Sequence, residues 1–481
     1  MYLPRSNSVL WHLVSAGTLL TVIGLAGITP AHGQQRYQQG GFSGGVRKTA
    51  FNSPASKFAS DDDDDVILQV LEEDMATPPA PPATAEQGEP PAGFKEAGKE
   101  DAPPAADAPP VPWTFMDLFK DDSGANYWKD KGYTLGGWST FGYSSNNDGA
   151  FTGNGAALTN SSKNMFIAKQ QYLYLEKKAD IKKDWDWGYR GDLMYGGDGY
   201  QGQSFGNSPG RFDFQNGFDH GVYAFAIPQL YGEISKKDLS VKIGHLFTPT
   251  GYEVIPPAAN FFYSHQITWN NAEAFYHTGA MGTWNATEKL VITGGWFLGW
   301  DTGFDQFNRG QMGYVGIAYT FNEDKTVLST FNTFGNQGWR GNGTLSGAIL
   351  SHKWTDRFMT VNQFDVLNTD GLTDFGPNTF QTTGTTAKSF SFLTYVYYDI
   401  TKDQKWRAAY RQELWDADGT AYQTHTWGVN YKPHPNLILR PELRYLYAPG
   451  AQSGPPGSIA DNIQQTYKSN LVFGFDVVMT F

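Results

Sequence analysis

The last stretch of the chain, Leu471 to Phe481, reads LVFGFDVVMTF. Every second residue is large and apolar, namely Phe473, Phe475, Val477, Met479 and Phe481, whereas Gly474, Asp476, Val478 and Thr480 between them are small or charged. A two-residue period with unlike faces describes a strand whose two sides meet different surroundings. An edge strand in a soluble sandwich would alternate in the same way, so the rest of the chain has to decide between the two.

After Gly132 one phrase repeats: an alternating segment, a short polar turn, a second segment, then a longer connection. Short turns fall at Lys178 to Asp184, Lys236 to Asp238, Asn285 to Lys289, Asn322 to Lys325, Thr355 to Arg357, Thr401 to Gln404 and Pro433 to Asn436. Longer connections are expected at Asn146 to Asn164, Gly197 to His220, Thr248 to Ala272, Asp301 to Gly310, Asn336 to Asn342, Thr369 to Lys388, Asp416 to Ala421 and Ala448 to Tyr467. The breaks delimit about 16 strands, an even number that puts both chain ends on the short-turn side. Lys405 to Trp415 and Leu437 to Tyr447 alternate clearly, whereas Ser389 to Ile400 is apolar or aromatic on both faces. Pro228 and Pro441 lie inside expected strands, where each removes a ladder donor and implies a local distortion.

The 481 residues, 17% of them charged and 15% aromatic, would hold several soluble domains or one large closed sheet. The net charge of -12 argues against nucleic acid as a partner, and the absence of cysteine removes disulfides and thiolate chemistry. Arg5, the apolar run Leu10 to Ile28 and the small residues around Ala31-His32-Gly33 read as a signal peptide over 1–33, the alternative being a retained anchor. Residues 34–112 are Gln/Gly-rich, then acidic at Asp61 to Asp65, then Pro/Ala-rich, and lack the apolar content to offset chain entropy, so a disordered periplasmic segment is expected. Trp113 to Phe119 places Trp113, Phe115, Met116 and Phe119 on one helical face, suggesting a turn packed at the inner rim of the closed sheet. Beyond the leader no run of about 20 apolar residues occurs, so any membrane crossing must be made by strands. The expected fold is therefore all-β, an antiparallel transmembrane β-barrel over 113–481. Ten residues at about 3.3 Å each, tilted by roughly 40°, rise about 25 Å and match the apolar band of an outer membrane.

The aromatic ending at Phe481 resembles the closing strand of bacterial outer-membrane barrels, and a second resemblance lies between Lys242 and Asp301. Gly244, Phe247-Thr248-Pro249, Gly251-Tyr252-Glu253, Asn260-Phe261-Phe262-Tyr263-Ser264, His277-Thr278-Gly279, Gly295-Trp296 and Gly299-Trp300-Asp301 resemble the OmpL-like putative beta-barrel porin-2 family. The resemblance covers about Trp113 to Phe481 and implies passive transport of small hydrophilic solutes or ions across the outer membrane. It does not account for the segment before Trp113. Outer-membrane lipid, the solutes and the barrel-insertion machinery, with Phe481 as assembly signal, are the implied partners, and a homotrimer is an open possibility.

The third long connection, Thr248 to Ala272, is unusually rich in Pro, Phe and Tyr. By analogy with large porins it would fold inward as a constriction, with Tyr252, Glu253, Phe261, Phe262 and Tyr263 carrying it; a lid or a contact to a neighbouring barrel are the alternatives. Arg407, Arg411, Glu413, Arg440, Glu442, Arg444 and Asp476 are expected to face a wet lumen as pore-lining residues. They could form a selectivity-setting basic wall or a mutually neutralising lattice, with Asp476 in reach of Arg440 or Arg444. An enzyme is not expected, because no HExxH, G-x-S-x-G or acidic calcium loop appears, and no cofactor or metal is implied. A structural or adhesin-like barrel closed by its loops is the alternative function, and an outer-membrane hydrolase a more remote one.

Overall fold

The structure, a computed structural model, describes residues 113–121, 124–145, 165–206, 209–304, 306–370, 387–417, 419–447 and 469–481. The expected signal peptide and acidic segment lie outside the described residues.

The alternating segments become strands β1 (Tyr133–Ser144), β2 (Phe166–Lys177), β3 (Asp186–Gly196), β4 (Asp219–His220), β5 (Tyr223–Ala226) and β6 (Leu230–Lys236). They continue as β7 (Leu239–Phe247), β8 (Tyr276–Thr287), β9 (Leu290–Phe297), β10 (Gln311–Phe321), β11 (Thr326–Asn336) and β12 (Asn342–Thr355). The last six are β13 (Phe358–Thr369), β14 (Lys388–Asp399), β15 (Trp406–Ala417), β16 (Thr420–His434), β17 (Leu437–Tyr447) and β18 (Ser469–Thr480). All belong to one antiparallel sheet, and β1 pairs with both β2 and β18, which closes it. The β4 segment is a two-residue hairpin arm, and β5 and β6 are successive pieces laid along β3, so the closed sheet has 16 staves.

The break between β5 and β6 falls at Pro228, which has no N–H to give the ladder. Pro441 acts in the same way: the pairing of β16 with β17 lapses between Gly428↔Glu442 and Tyr431↔Leu439. One expected long connection is not long. Strands β15 and β16 run to Ala417 and from Thr420, so Asp416 to Ala421 shrinks to a tight turn, because its flanking residues pair with each other.

The outer face is apolar, and the inner face combines buried charged residues with an apolar cluster that includes Phe297, Leu345, Val361 and Leu393. Leu173, Ile243, Trp284, Ile317, Phe392, Leu443 and Phe473 are exposed on the outer face, whereas Lys169, Glu176, Arg190, Glu233 and Asp365 are buried on the inner one. Large apolar residues left exposed on the outer face, with buried charges inside, suit a wall standing in lipid. No helix among the described residues is long and apolar enough to cross a membrane. The crossing belongs to the strands.

Trp113 to Phe119 corrects the expected placement. A 3-10 turn forms over Phe115–Phe119, but Phe115 lies tilted against Phe481 with ring centroids 4.3 Å apart. Phe481 continues the outward set of β18, so this turn lies against the outer side of the short-turn end, not the inner rim.

Candidate functional site

The segment between β7 and β8 does not cover the barrel from outside; it enters the lumen. Its base is closed by Thr248 N–H donating to the Phe275 carbonyl at 3.0 Å. Thr248 Oγ1 also meets Thr250 Oγ1 at 2.8 Å and His277 Nε2 at 3.0 Å. Gly251, at φ 89°, is the turn residue that admits the descent: a Cβ there would lie 2.0 Å from Glu273 Oε2. Asn260 braces the bend by accepting from Val254 N–H at 2.9 Å and donating to the Val254 carbonyl. These are residues of the motif between Gly244 and Asp301. Its downstream end serves the same base, because Asp301 Oδ1 accepts the N–H groups of Phe275 and Tyr276.

The wall holds the loop with charged and polar side chains. Arg411 pairs with Glu253, donates to the Ser264 carbonyl at 2.8 Å and to the His265 carbonyl at 3.3 Å. Glu413 accepts Ile267 N–H at 2.9 Å and Thr268 N–H at 2.7 Å, at the start of the short helix Ile267–Ala272. Glu442 accepts Ser264 N–H at 3.0 Å. Arg440 forks onto Asp476, its cross-strand neighbour, through Nε at 2.8 Å and Nη2 at 2.6 Å, and spends its Nη1 on the Pro257 and Asn260 carbonyls. Arg444 is buried on the same face. Arg407 lies further toward the short-turn end, over the Tyr397 ring and with Nε 3.4 Å from Asp399.

These seven residues were expected to line a wet lumen. Six of them, Arg407 excepted, are buried; Arg411, Glu413, Arg440 and Glu442 hold the third loop, because an irregular backbone inside a barrel needs donors and acceptors that water no longer supplies, and Arg440 and Asp476 also border a cleft beside it. The expected contact of Asp476 with Arg440 or Arg444 is present, with Arg440.

Aromatic packing does the rest. Tyr252 packs on Tyr395 at 4.8 Å and its hydroxyl meets that of Tyr397 at 3.0 Å, while Phe261 lies 5.5 Å from the Tyr397 ring. This is why β14 is apolar or aromatic on both faces: one meets lipid, the other the loop. Tyr263 occupies space left by two inward glycines. A Cβ on Gly142 would lie 2.6 Å from its hydroxyl, and one on Gly474 2.9 Å from its ring.

Burial alone would raise the Glu253 carboxyl, but the Arg411 guanidinium and the His265 and Gln266 N–H groups hold it down at about 2. His265, stacked 3.6 Å from Trp269, is pushed down by burial and stays neutral, so its Nδ1–H donates to Glu253 at 3.1 Å. Glu273 is the opposite case. Burial and the neighbouring Asp365 carboxylate raise it well above the ordinary range. One Gln363 amide donates to both, to Glu273 at 2.5 Å and to Asp365 at 2.7 Å, and its carbonyl accepts Tyr252 N–H at 3.1 Å.

Several residues here escaped the sequence reading: Lys169, Gln170, Asp198, Gln363, Gln266 and Glu273. Lys169 and Gln170 escaped because of a bulge. Gln170 pairs with Thr140 and Ala168 with Phe141, so Lys169 is the extra residue, and both it and Gln170 are buried on the inner side. Between this bulge and the loop lies a narrow cleft, lined by Thr140, Lys169, Gln170, Asp198, Pro257, Asn260, Phe262, Tyr263, His265, Arg440 and Asp476. Lys169 Nζ stands 3.5 Å from Asp198 and over the Tyr263 ring.

The family profile described as "Putative beta-barrel porin-2, OmpL-like" matches residues 132–481. No curated protein matches the chain. Among solved structures the barrel is similar to an anion-selective porin from Comamonas acidovorans, with 12% identity, TM-score 0.47, 73% of this chain and 99% of that one. It is also similar to the outer-membrane channel DcaP of Acinetobacter baumannii, with 10% identity, TM-score 0.46, 76% of this chain and 99% of that one. A triple mutant of the Rhodopseudomonas blastica porin follows, with 11% identity, TM-score 0.45, 73% of this chain and 100% of that one.

Proposed function

Because the chain belongs to the OmpL-like putative beta-barrel porin-2 family and is an outer-membrane porin, we propose that its solutes cross by passive diffusion through the cleft between the third loop and the wall of β1, β2 and β18. Small hydrophilic solutes and ions are its cargo. The observation that carries this reading is the cleft left between the loop and the bulge of β2, bordered by Lys169, Gln170 and Asp198, while Glu413 on β15 and Glu442 and Arg440 on β17 fasten the loop. In this reading the loop is the constriction, and Arg411, Glu413 and Glu442 fasten it instead of meeting solute. The cleft carries Lys169 and Arg440 against Asp198 and Asp476, so charge selectivity is weak.

Planar-bilayer recording with graded sugars and a salt gradient tests it. Wild type should conduct with a reversal potential near zero, and deleting Pro256 to Tyr263 should raise both the conductance and the sugar cut-off. Lys169→Gln should turn selectivity toward cations. A chain that inserts but never conducts is the closed, structural barrel instead. Unchanged sugar cut-off in the deletion would move the constriction elsewhere.

The family and fold are those of a channel, and no catalytic role is assigned. His245 is held by the Ser204 and Thr278 hydroxyls at 2.8 and 2.9 Å, and His277 by Thr248 and the Gly299 carbonyl, which suits wall and loop fastening. The periplasmic placement of the short-turn end and a trimeric assembly belong to the same reading. Protease access in intact cells and the native mass in detergent test them.

A further inference from the structure

The stretch before β1 fills a notch. Strand β18 ends beside Gly137, where Phe481 exchanges both backbone hydrogen bonds with it, so the first residues of β1 run on past the end of their neighbour. Met116, itself buried, brings its Sδ to 3.1 Å from the Leu135 N–H that β18 does not reach. Asn436, in the turn between β16 and β17, receives Trp113 N–H at 2.8 Å, donates to the Trp113 carbonyl at 2.7 Å and donates to the Thr480 carbonyl at 2.9 Å. Phe115 closes over the Phe481 ring.

The other side of the stretch is uncovered. Leu118 is 67% and Tyr127 65% exposed, and Trp113, Phe119 and Trp128 are exposed as well. This surface is continuous with the lipid wall. Trp128 meets Tyr133 edge-on at 5.5 Å, Tyr133 lies 6.5 Å from Tyr189, and Tyr189 stacks on Trp187 at 6.1 Å. Tyr133, Tyr189 and Trp187 all belong to the outward face of their strands. Aromatic rings carrying one polar edge settle at the level of lipid headgroups, and Lys120, Lys129 and Lys131 supply charges that stay in water from the same stretch.

We propose that residues 113–121 and 124–131 form an interfacial anchor, lying in the headgroup layer of the leaflet at the short-turn end and pinning the end of β18 beneath it. Trp113 then sits at the outer edge of the barrel, beside lipid, and not below the lumen. The inference rests on the barrel standing in a bilayer.

The chain has no cysteine, so a single one can be placed at will. Leu118→Cys, carrying a nitroxide, is compared in phosphatidylcholine/phosphatidylglycerol liposomes with Phe473→Cys on the lipid wall and Lys182→Cys in the β2–β3 turn. Phe119→Cys serves if the first variant loses heat-modifiability. Relaxation by oxygen against a nickel chelate is the readout. An oxygen-to-nickel ratio several-fold above that of Lys182 and near that of Phe473 supports the anchor. A ratio equal to that of Lys182 overturns it, as does an immobilised label shielded from both relaxants, which would place protein over the stretch. A Phe473 label without oxygen preference would count against the membrane reading itself and not against the anchor.

Discussion

At the residue scale, Arg411 shows what a charge inside this barrel is for. Its guanidinium is fully enclosed and divided between Glu253 and loop backbone carbonyls. Removing one partner of a buried pair costs about 3 to 5 kcal/mol, because the other charge stays uncompensated. Arg411→Met should therefore undock the loop, raise single-channel conductance and open residues near Ser264 to protease. Adding Glu253→Gln should restore much of the docking. Conductance and limited proteolysis on the two variants check this, and a single variant that keeps wild-type behaviour on both would refute the clamp.

Glu253 and Glu273 also set opposite pH dependences. The folded pKa of Glu253, about 2, lies below its ordinary 4.5, so its contribution is present above 4.5 and lost as pH falls toward 2. The folded pKa of Glu273 is raised, so its contribution is complete below 4.5 and lost as pH rises through the elevated value. The groups around Glu273 are Asp365, Gln363, Glu253 and Glu413, and ionisation would place it among carboxylates. Loop docking should thus be tightest at mildly acidic pH and loosen on the alkaline side. Glu273→Gln should flatten the alkaline limb in a pH series of channel noise and sugar cut-off while leaving the acid limb, which Glu253 controls.

At the scale of elements, the small face of β18 is explained by a ring. Gly142 on β1 and Gly474 on β18 leave room for Tyr263, and a side chain at Gly142 would overlap that ring directly. Gly142→Val should displace Tyr263 and lower the temperature at which the folded band is lost on a detergent gel. Tyr263→Ala in the same chain should recover most of the loss. Failure of that rescue would mean that the glycine serves the strand and not the loop.

At the scale of the whole molecule, closure is made by β1 with β18 and finished by Phe481, whose ring lies under Phe115 on the outer surface. Phe481→Ala should reduce assembly severalfold while Phe481→Tyr stays near wild type, since a tyrosine ring keeps the apolar contact. The heat-modifiable fraction in outer-membrane preparations measures this. Equal assembly in both variants would remove the terminal ring from the argument.

The barrel was legible in the sequence because strand alternation is local. Each residue of β15, β17 and β18 takes its side from its neighbours, and a period of two requires no knowledge of the rest of the chain. The order of staves followed as well, since short and long connections between antiparallel neighbours leave few alternatives. What the inner face touches was not local. Arg440 in water and Arg440 forked onto Asp476 beneath the Pro257 and Asn260 carbonyls give the same alternating pattern, so the sequence placed the side chain inward but could not say that a loop lay on it. Two signals did point there, the doubly apolar β14 and the glycines opposite Tyr263, and both acquire meaning only once the loop is seen against them. Lys169 was hidden for a different reason: a bulge breaks the alternation, and which residue becomes the extra one is decided by pairing with β1. The tertiary structure alone decided which charges fasten the loop and which border the cleft, because those choices are made by backbone groups brought together across the lumen.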